Sequence, residues 1–190
     1  MTLALEEWHV VVEAIARGDQ VLTIGLRDTA EKAFAVAGSA FWLRPSWEHQ
    51  QAADVKRAWH GELARSNRER PVDGTIPIRC HCTVEAAWEV TDADQLAALD
   101  AWHLWTPAYV RSRLESDPAK PLTVLLLRAS ALIEPFGLQP DNAPRSADSW
   151  VELAVEPPTV DLIPALTDTA FAMRSVAVHE VLGGAAGVRA

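Results

Sequence analysis

The densest chemistry in this 190-residue chain lies between Phe41 and Gln50, where FWLRPSWEHQ combines three aromatic rings, a proline, an arginine and an adjacent Glu48-His49 pair. A carboxylate and an imidazole at the end of a strand are the usual parts for proton transfer near neutral pH. Neighbours in a regular strand point to opposite faces, so Glu48 and His49 cooperate only if Pro45 places them in a turn. Otherwise they hold loops together through hydrogen bonds. A second group, His103-Leu104-Trp105-Thr106, adds an imidazole and an indole, and Tyr109 and Arg113 follow four positions apart on one helical face. His103 reads equally well as a helix C-terminal residue set favourably against the dipole. Arg128 sits inside the apolar run PLTVLLLRASAL. A buried guanidinium there needs an anionic partner, from the protein or from a ligand, unless the strand edge is open to water.

If these segments converge, they make a pocket for a small polar or anionic molecule, with acid–base chemistry that uses no metal. Glu48, His49 and His103 would be the catalytic groups, and Arg27, Trp47, Gln50, Trp105, Tyr109, Arg113 and Arg128 would bind substrate. No cofactor is expected, because the chain has no Gly-rich phosphate loop, no GxSxG elbow, no HExxH and no pair of CxxC motifs. Cys80-His81-Cys82 suggests zinc, but in a strand His81 points away from both thiols and the three cannot share one ion. The two cysteines read as free thiols.

A net charge of -9 disfavours unspecific attraction to nucleic-acid phosphates or anionic membrane. One basic island runs against that trend, with Lys56, Arg57, Arg65, Arg68 and Arg70 facing only Glu62 and Glu69. An alternative function is therefore a non-catalytic nucleic-acid module that stacks bases on some of the eight tryptophans and holds phosphates with this island. A third is a structural or partner-binding subunit without a polar pocket. The opening MTLALEEWHV is acidic where a signal peptide is basic, and no apolar run approaches the roughly 18 residues of a membrane span. A cytoplasmic protein is expected.

The elements that must position these groups follow from periodicity. Leu5, Trp8, Val11, Val12 and Ile15 recur at helical spacing, with Gly18 as a C-cap, and predict a helix over 4–17. The β-branched run HVVVEAI leaves open a first strand paired with residues 20–27 through a turn at Arg17-Gly18-Asp19. QVLTIGLR is a strand in either case, 28–39 a loop and 40–44 a short strand. A helix of about three turns starts near Ala52, and SNRERPVDG breaks it. Clean alternation from Ile76 to Val90 predicts a long strand, bent or bulged at that length, with Cys80 and Cys82 on its apolar face. Asp92 or Thr91 caps a helix carrying Leu96, Leu99 and Trp102, and Thr106-Pro107 starts another over 108–115. Residues 121–132 read as a central strand, 134–148 as a loop, 149–155 as a last strand and 160–182 as a helix. The sum is an α+β single domain over 1–182, with a mixed sheet of about five strands carrying packed helices, and a frayed tail over 183–190.

FWLRPSWEHQ, HLWTPAYVRSRL, PLTVLLLRASAL and SWVEL, after LEEWHVVVEAIARGDQVLTIGLR, together resemble the domain of unknown function family numbered 1802 over residues 3–153. The family pattern falls on Phe41, Leu43, Pro45, Glu48, His49 and Gln50, and again on His103, Trp105 and Thr106. The resemblance implies a shared fold and shared marked positions, and no known activity. The occurrence of members beside restriction-type nuclease domains implies a link to DNA defence for the nucleic-acid alternative. The chain departs from the pattern at Asp28-Thr29-Ala30, where Lys-Gly-Gly is usual, and at Ala147-Asp148, where Gly-Cys is usual.

Overall fold

The fifteen residues of β4 are the spine of the molecule. In the computed structural model, which describes residues 2–26, 40–117, 120–142 and 149–183, this strand runs from Ile76 to Val90 as its alternation predicts. Ile76, Ile78, Cys80, Cys82, Val84, Ala86, Trp88 and Val90 are all buried. Pairing with β5 (Leu122–Leu138) shifts register at Ile78/Cys80 and again at Val84/Ala86, and these irregularities bend the long ribbon. The bend lets one strand serve two cores. Cys80, Cys82 and Val84 join the main core, whereas Ile76 and Ile78 pack with Ala4, Trp42, Leu132, Leu138 and Leu153 in a smaller one.

Around this ribbon lie β1 (Thr2–Trp8), β2 (Leu22–Leu26), β3 (Ala40–Ser46), β6 (Trp150–Leu153) and the two-residue β7 (Ile163–Pro164). The sheet order is β2-β5-β4-β3-β1-β6, with β7 on β5. All pairs are antiparallel except β1 with β3. This is a mixed sheet of seven strands, the two beyond expectation being β1 and β7. Among the described residues, five α-helices flank it: α1 (His9–Ala16), α2 (His60–Arg68), α3 (Ala93–Ala98), α4 (Pro107–Glu115) and α5 (Asp168–Leu182). No helix among the described residues is long and apolar enough to cross a membrane.

The N-terminal segment is neither the helix nor the hairpin expected. It is a strand to Trp8 and then a helix from His9, and the strand pairs with β3 and β6 rather than with 20–27. HVVVEAIA buries every residue except Glu13. Three consecutive valines have modest helix propensity, and full tertiary burial overrides it. Gly18 ends this unit at φ 75, where an added Cβ would sit 2.7 Å from the Ala165 carbonyl and the Leu166 side chain. Only glycine fits there.

Other boundaries moved for comparable reasons. The helix expected from Ala52 begins as a 3₁₀ turn at Arg57–Trp59 and continues to Arg68, inside the stretch read as a break. The 134–148 loop is in part strand, since β5 passes through Pro135 to Leu138 and pairs Phe136 and Gly137 with β4. The helix expected over 160–182 starts only at Asp168, capped by Thr167, and Ile163–Pro164 is strand. Asp92 and Thr106 cap α3 and α4 through their side chains, as their spacing predicts. Within the expected last strand, 150–153 form β6. The 28–39 loop, most of the tail from 183 and the departures at 28–30 and 147–148 lie outside the described residues.

Candidate functional site

Strand alternation divides β1 between two environments. Ala4 faces the small core and Leu5 the main one, so Glu6 and Glu7 emerge on opposite sides at the end of the strand. On the small-core side, parallel register sets Glu6 beside Arg44, and the two form an ion pair. Arg44 is 7% exposed. A guanidinium so enclosed requires an anion at hand, and Glu6 supplies one.

Immediately beyond lies a cavity of about 250 Å³. Residues Arg44 to Glu48 form one wall, Glu6 another, and the loop with Arg70, Pro71, Gly74 and Thr75 closes it. Five residues of FWLRPSWEHQ thus line one space, with two arginines and two glutamates around it. The last two residues of the motif do not. His49 is exposed with a positive φ of 63, so the turn that would unite it with Glu48 instead carries it into solvent.

Gln50 turns inward. Its Nε2 donates to Ser66 Oγ (3.0 Å) and Asn67 Oδ1 (2.6 Å), and its Oε1 accepts from the Val10 N–H (3.4 Å). Trp47 donates from Nε1 to the Ser66 carbonyl at 2.8 Å and stacks on His9 at 4.5 Å. His9 Nδ1 lies 2.8 Å from Ser66 Oγ. Burial, helped by the nearby Arg65 and Arg79 and opposed by Glu69, lowers the His9 pKa to about 4. At neutral pH the ring is uncharged. This network ties the end of β3 to α1 and α2 through Gln50, while Trp47 both anchors the loop and walls the cavity.

The HLWT segment lies elsewhere. His103 is buried and lines a separate cavity of about 30 Å³ with Asp100, Pro107, Val110 and Arg111. Lys56 fastens this joint, donating to the His103 carbonyl at 2.6 Å and pairing with Asp100 at 3.0 Å. Burial and the Lys56 charge lower the His103 pKa to about 4. His103 and Glu48 therefore do not share a cavity. In the basic island, Lys56 is engaged there, and Arg65 pairs with Glu62 and Glu69.

Tyr109 and Arg113 lie within electrostatic reach of a carboxyl, but one that the motif reading passed over. On the main-core side of β1, Glu7 Oε1 accepts from the Trp8 N–H at 2.8 Å and Oε2 from the Thr23 hydroxyl at 2.9 Å. Burial of the carboxyl raises its pKa to about 7, against the lowering effects of these two bonds and Arg113. The Tyr109 ring lies 5.1 Å from Trp8 and 6.4 Å from Trp105. Its hydroxyl is pushed up to about 12 by burial, with Arg113 opposing and Glu7 and Asp54 adding. A signal for Glu7 was present. Two adjacent glutamates in a strand must face opposite ways, and Thr23 is a lone hydroxyl in an apolar run.

Arg128 has the internal partner weighed for it. It pairs with Asp168, lies 5.1 Å over the Phe171 ring, keeps 41% of its side chain exposed and does not line the 250 Å³ cavity. Arg27 lies outside the described residues. Cys80 and Cys82 are buried free thiols 3.7 Å apart, and His81 packs on the other face against Trp42 at 4.9 Å. Among the described residues, no cluster of three or more His, Cys, Asp or Glu gathers at metal-binding spacing.

No curated protein matches the sequence. Among solved structures, the crystal structure of a serine-to-alanine mutant of ZmASCH from Zymomonas mobilis is similar, with a TM-score of 0.44 and 13% identity over 93% of this chain and 95% of that one. The family model described as Domain of unknown function (DUF1802) matches residues 4–177, past the end of β6 and into α5. With nearly its whole length matched, from β1 through most of α5, the chain belongs to the DUF1802 family.

Proposed function

We propose that the cavity beside FWLRPSW binds a small polar or anionic molecule. The observation that carries this reading is the buried Arg44 set in the wall of a space of about 250 Å³, with Arg70 brought to the same space by the loop after α2. A volume of that size suits a molecule smaller than a typical drug, and a few placed charges fix its orientation. Arg44 and Arg70 match negative charge on the ligand, Glu6 holds Arg44 in place, and Trp47 supplies a flat apolar contact. Of the three proton-exchanging groups expected from the sequence, Glu48 lines this cavity, and in this reading it carries any acid–base step there.

Amide NMR of the full chain, titrated with inorganic phosphate and separately with a neutral polyol, tests the reading. Saturable shifts should cluster at 44–48 and 70–76, and Arg70→Ala should weaken the phosphate response by about tenfold, the loss of one charge-assisted contact. Shifts scattered away from the cavity, or an R70A protein that responds like the wild type, would show the reading to be wrong.

A further inference from the structure

We infer that the molecule taken up beside FWLRPSW is a small zwitterion, a free α-amino acid with an apolar side chain; the inference rests on the reading of that cavity as a ligand site. What points to it is the sign pattern of the lining. Two arginines, Arg44 and Arg70, and two glutamates, Glu6 and Glu48, surround one space of about 250 Å³. Glu6 and Arg44 answer each other as an ion pair. Arg70 is exposed and makes no ion pair among the described residues, so it does not neutralise Glu48 across the space. Opposite charges therefore face one cavity from two segments, the end of the β3 wall and the loop after α2. A plain anion drawn to Arg70 meets two carboxylates in the same lining, and a plain cation meets two guanidinium groups. A molecule that carries both charges finds a partner for each.

The remaining lining groups fit the other parts of an amino acid. The planar guanidinium of Arg70 suits a carboxylate, which it can hold with two parallel N–H bonds, and Arg44 adds positive charge from the wall. The Glu48 carboxylate accepts from the ligand ammonium. Ser46 Oγ accepts from the Glu48 N–H at 3.3 Å, which leaves its hydroxyl hydrogen to donate to the ligand. Beside these polar groups, Pro45, Trp47, Pro71, Ile76 and Pro140 give the lining an apolar portion that suits a hydrocarbon side chain. Trp47 is fixed there by its bond to the Ser66 carbonyl and its stacking on His9, so that portion is formed before a ligand arrives.

Three probes separate the charges: L-leucine, 4-methylpentanoate, which lacks the ammonium, and 3-methylbutylamine, which lacks the carboxylate. Each is titrated into the full chain and followed by amide NMR, whose spectra also establish that every variant is folded. Leucine should give saturable shifts at 44–48 and 70–76 with a Kd about tenfold below that of either single-charge probe, the worth of one charge-assisted contact. Arg70→Ala should lower affinity for leucine and the acid about tenfold relative to the amine. Glu48→Gln should lower affinity for leucine and the amine by a similar factor relative to the acid. Leucine binding no tighter than the acid, or an E48Q protein that binds leucine like the wild type, would overturn the inference. If phosphate still saturates at the same amides in that case, the cavity remains a site for anions. If neither leucine nor phosphate shifts these amides, both readings fall together.

Discussion

Replacing Glu7 by Gln is expected to change stability in a way that depends on pH, and the sign follows from the enclosure of the carboxyl. Its pKa rises from 4.5 to about 7 on folding. Between these values the folded protein holds a proton that the unfolded chain has released, so Glu7 contributes stability that is complete below 4.5 and lost as pH climbs through about 7. From pH 5 to pH 8 the loss amounts to about 2 to 3 kcal/mol by linkage, a ceiling for a residue that keeps part of its surface exposed. Gln has the same shape: its carbonyl can accept from the Trp8 N–H and its amide can donate to Thr23, so the local bonds persist without the charge. His9 and His103 work in the opposite direction. Both fall from 6.5 to about 4, and their contributions are present above 6.5 and lost as the solution is acidified through that window. Burial lowers His81 in the same direction, so wild-type stability alone mixes several titrations. The difference between wild type and E7Q, from urea unfolding at pH 5 and pH 8 with unchanged slope, isolates one. E7Q should lie close to wild type at pH 5 and be more stable than it by about 2 to 3 kcal/mol at pH 8, because Gln keeps the neutral form that Glu7 loses. Equal differences at the two pH values would refute the argument that an enclosed carboxyl titrates near 7.

Two further substitutions test the supports of the site. Ser66→Ala removes the hydroxyl shared by His9 and Gln50 and should cost about 1 to 3 kcal/mol by urea unfolding, the expense of leaving a buried polar group unsatisfied. The Trp47 fluorescence environment should shift with it, because the same helix turn holds the indole. Arg128→Ala should change stability by less than about 1 kcal/mol, since its pair with Asp168 is solvent-exposed, and a larger loss would mean that Phe171 depends on the guanidinium more than its geometry suggests.

Much of the scaffold was legible because local and tertiary signals agreed. The alternation of β4 and the Thr106-Pro107 helix start needed no information from distant parts of the chain. The N-terminus was obscure for the opposite reason. Trp8 ends a strand and His9 begins a helix with no intervening turn residue, and the helix is apolar on nearly every side, so neither period dominates. Pro135 and Gly137 disguised the end of β5, where Pro135 falls within a register irregularity and Gly137 pairs with Pro77 beyond it. At the site, FWLRPSW was recognisable as a cavity wall from its composition. Which imidazole reached that wall was not, because a single positive φ at His49 and the Lys56 clamp on His103 are decided by contacts far away in sequence. Glu7 escaped notice because its partner Thr23 belongs to a strand on the other flank of the sheet order.

The pairing of β1 with β3 gives the adjacent glutamates a shared fate. Because a strand reverses its faces at every residue, deleting one residue ahead of Glu6 would exchange their destinations, carrying Glu6 to the main-core side and Glu7 to the side of Arg44. Two compartments of the molecule are therefore indexed by a single reading frame of backbone hydrogen bonds. Point substitutions can retune either glutamate alone, but any change in the length of β1 must alter both.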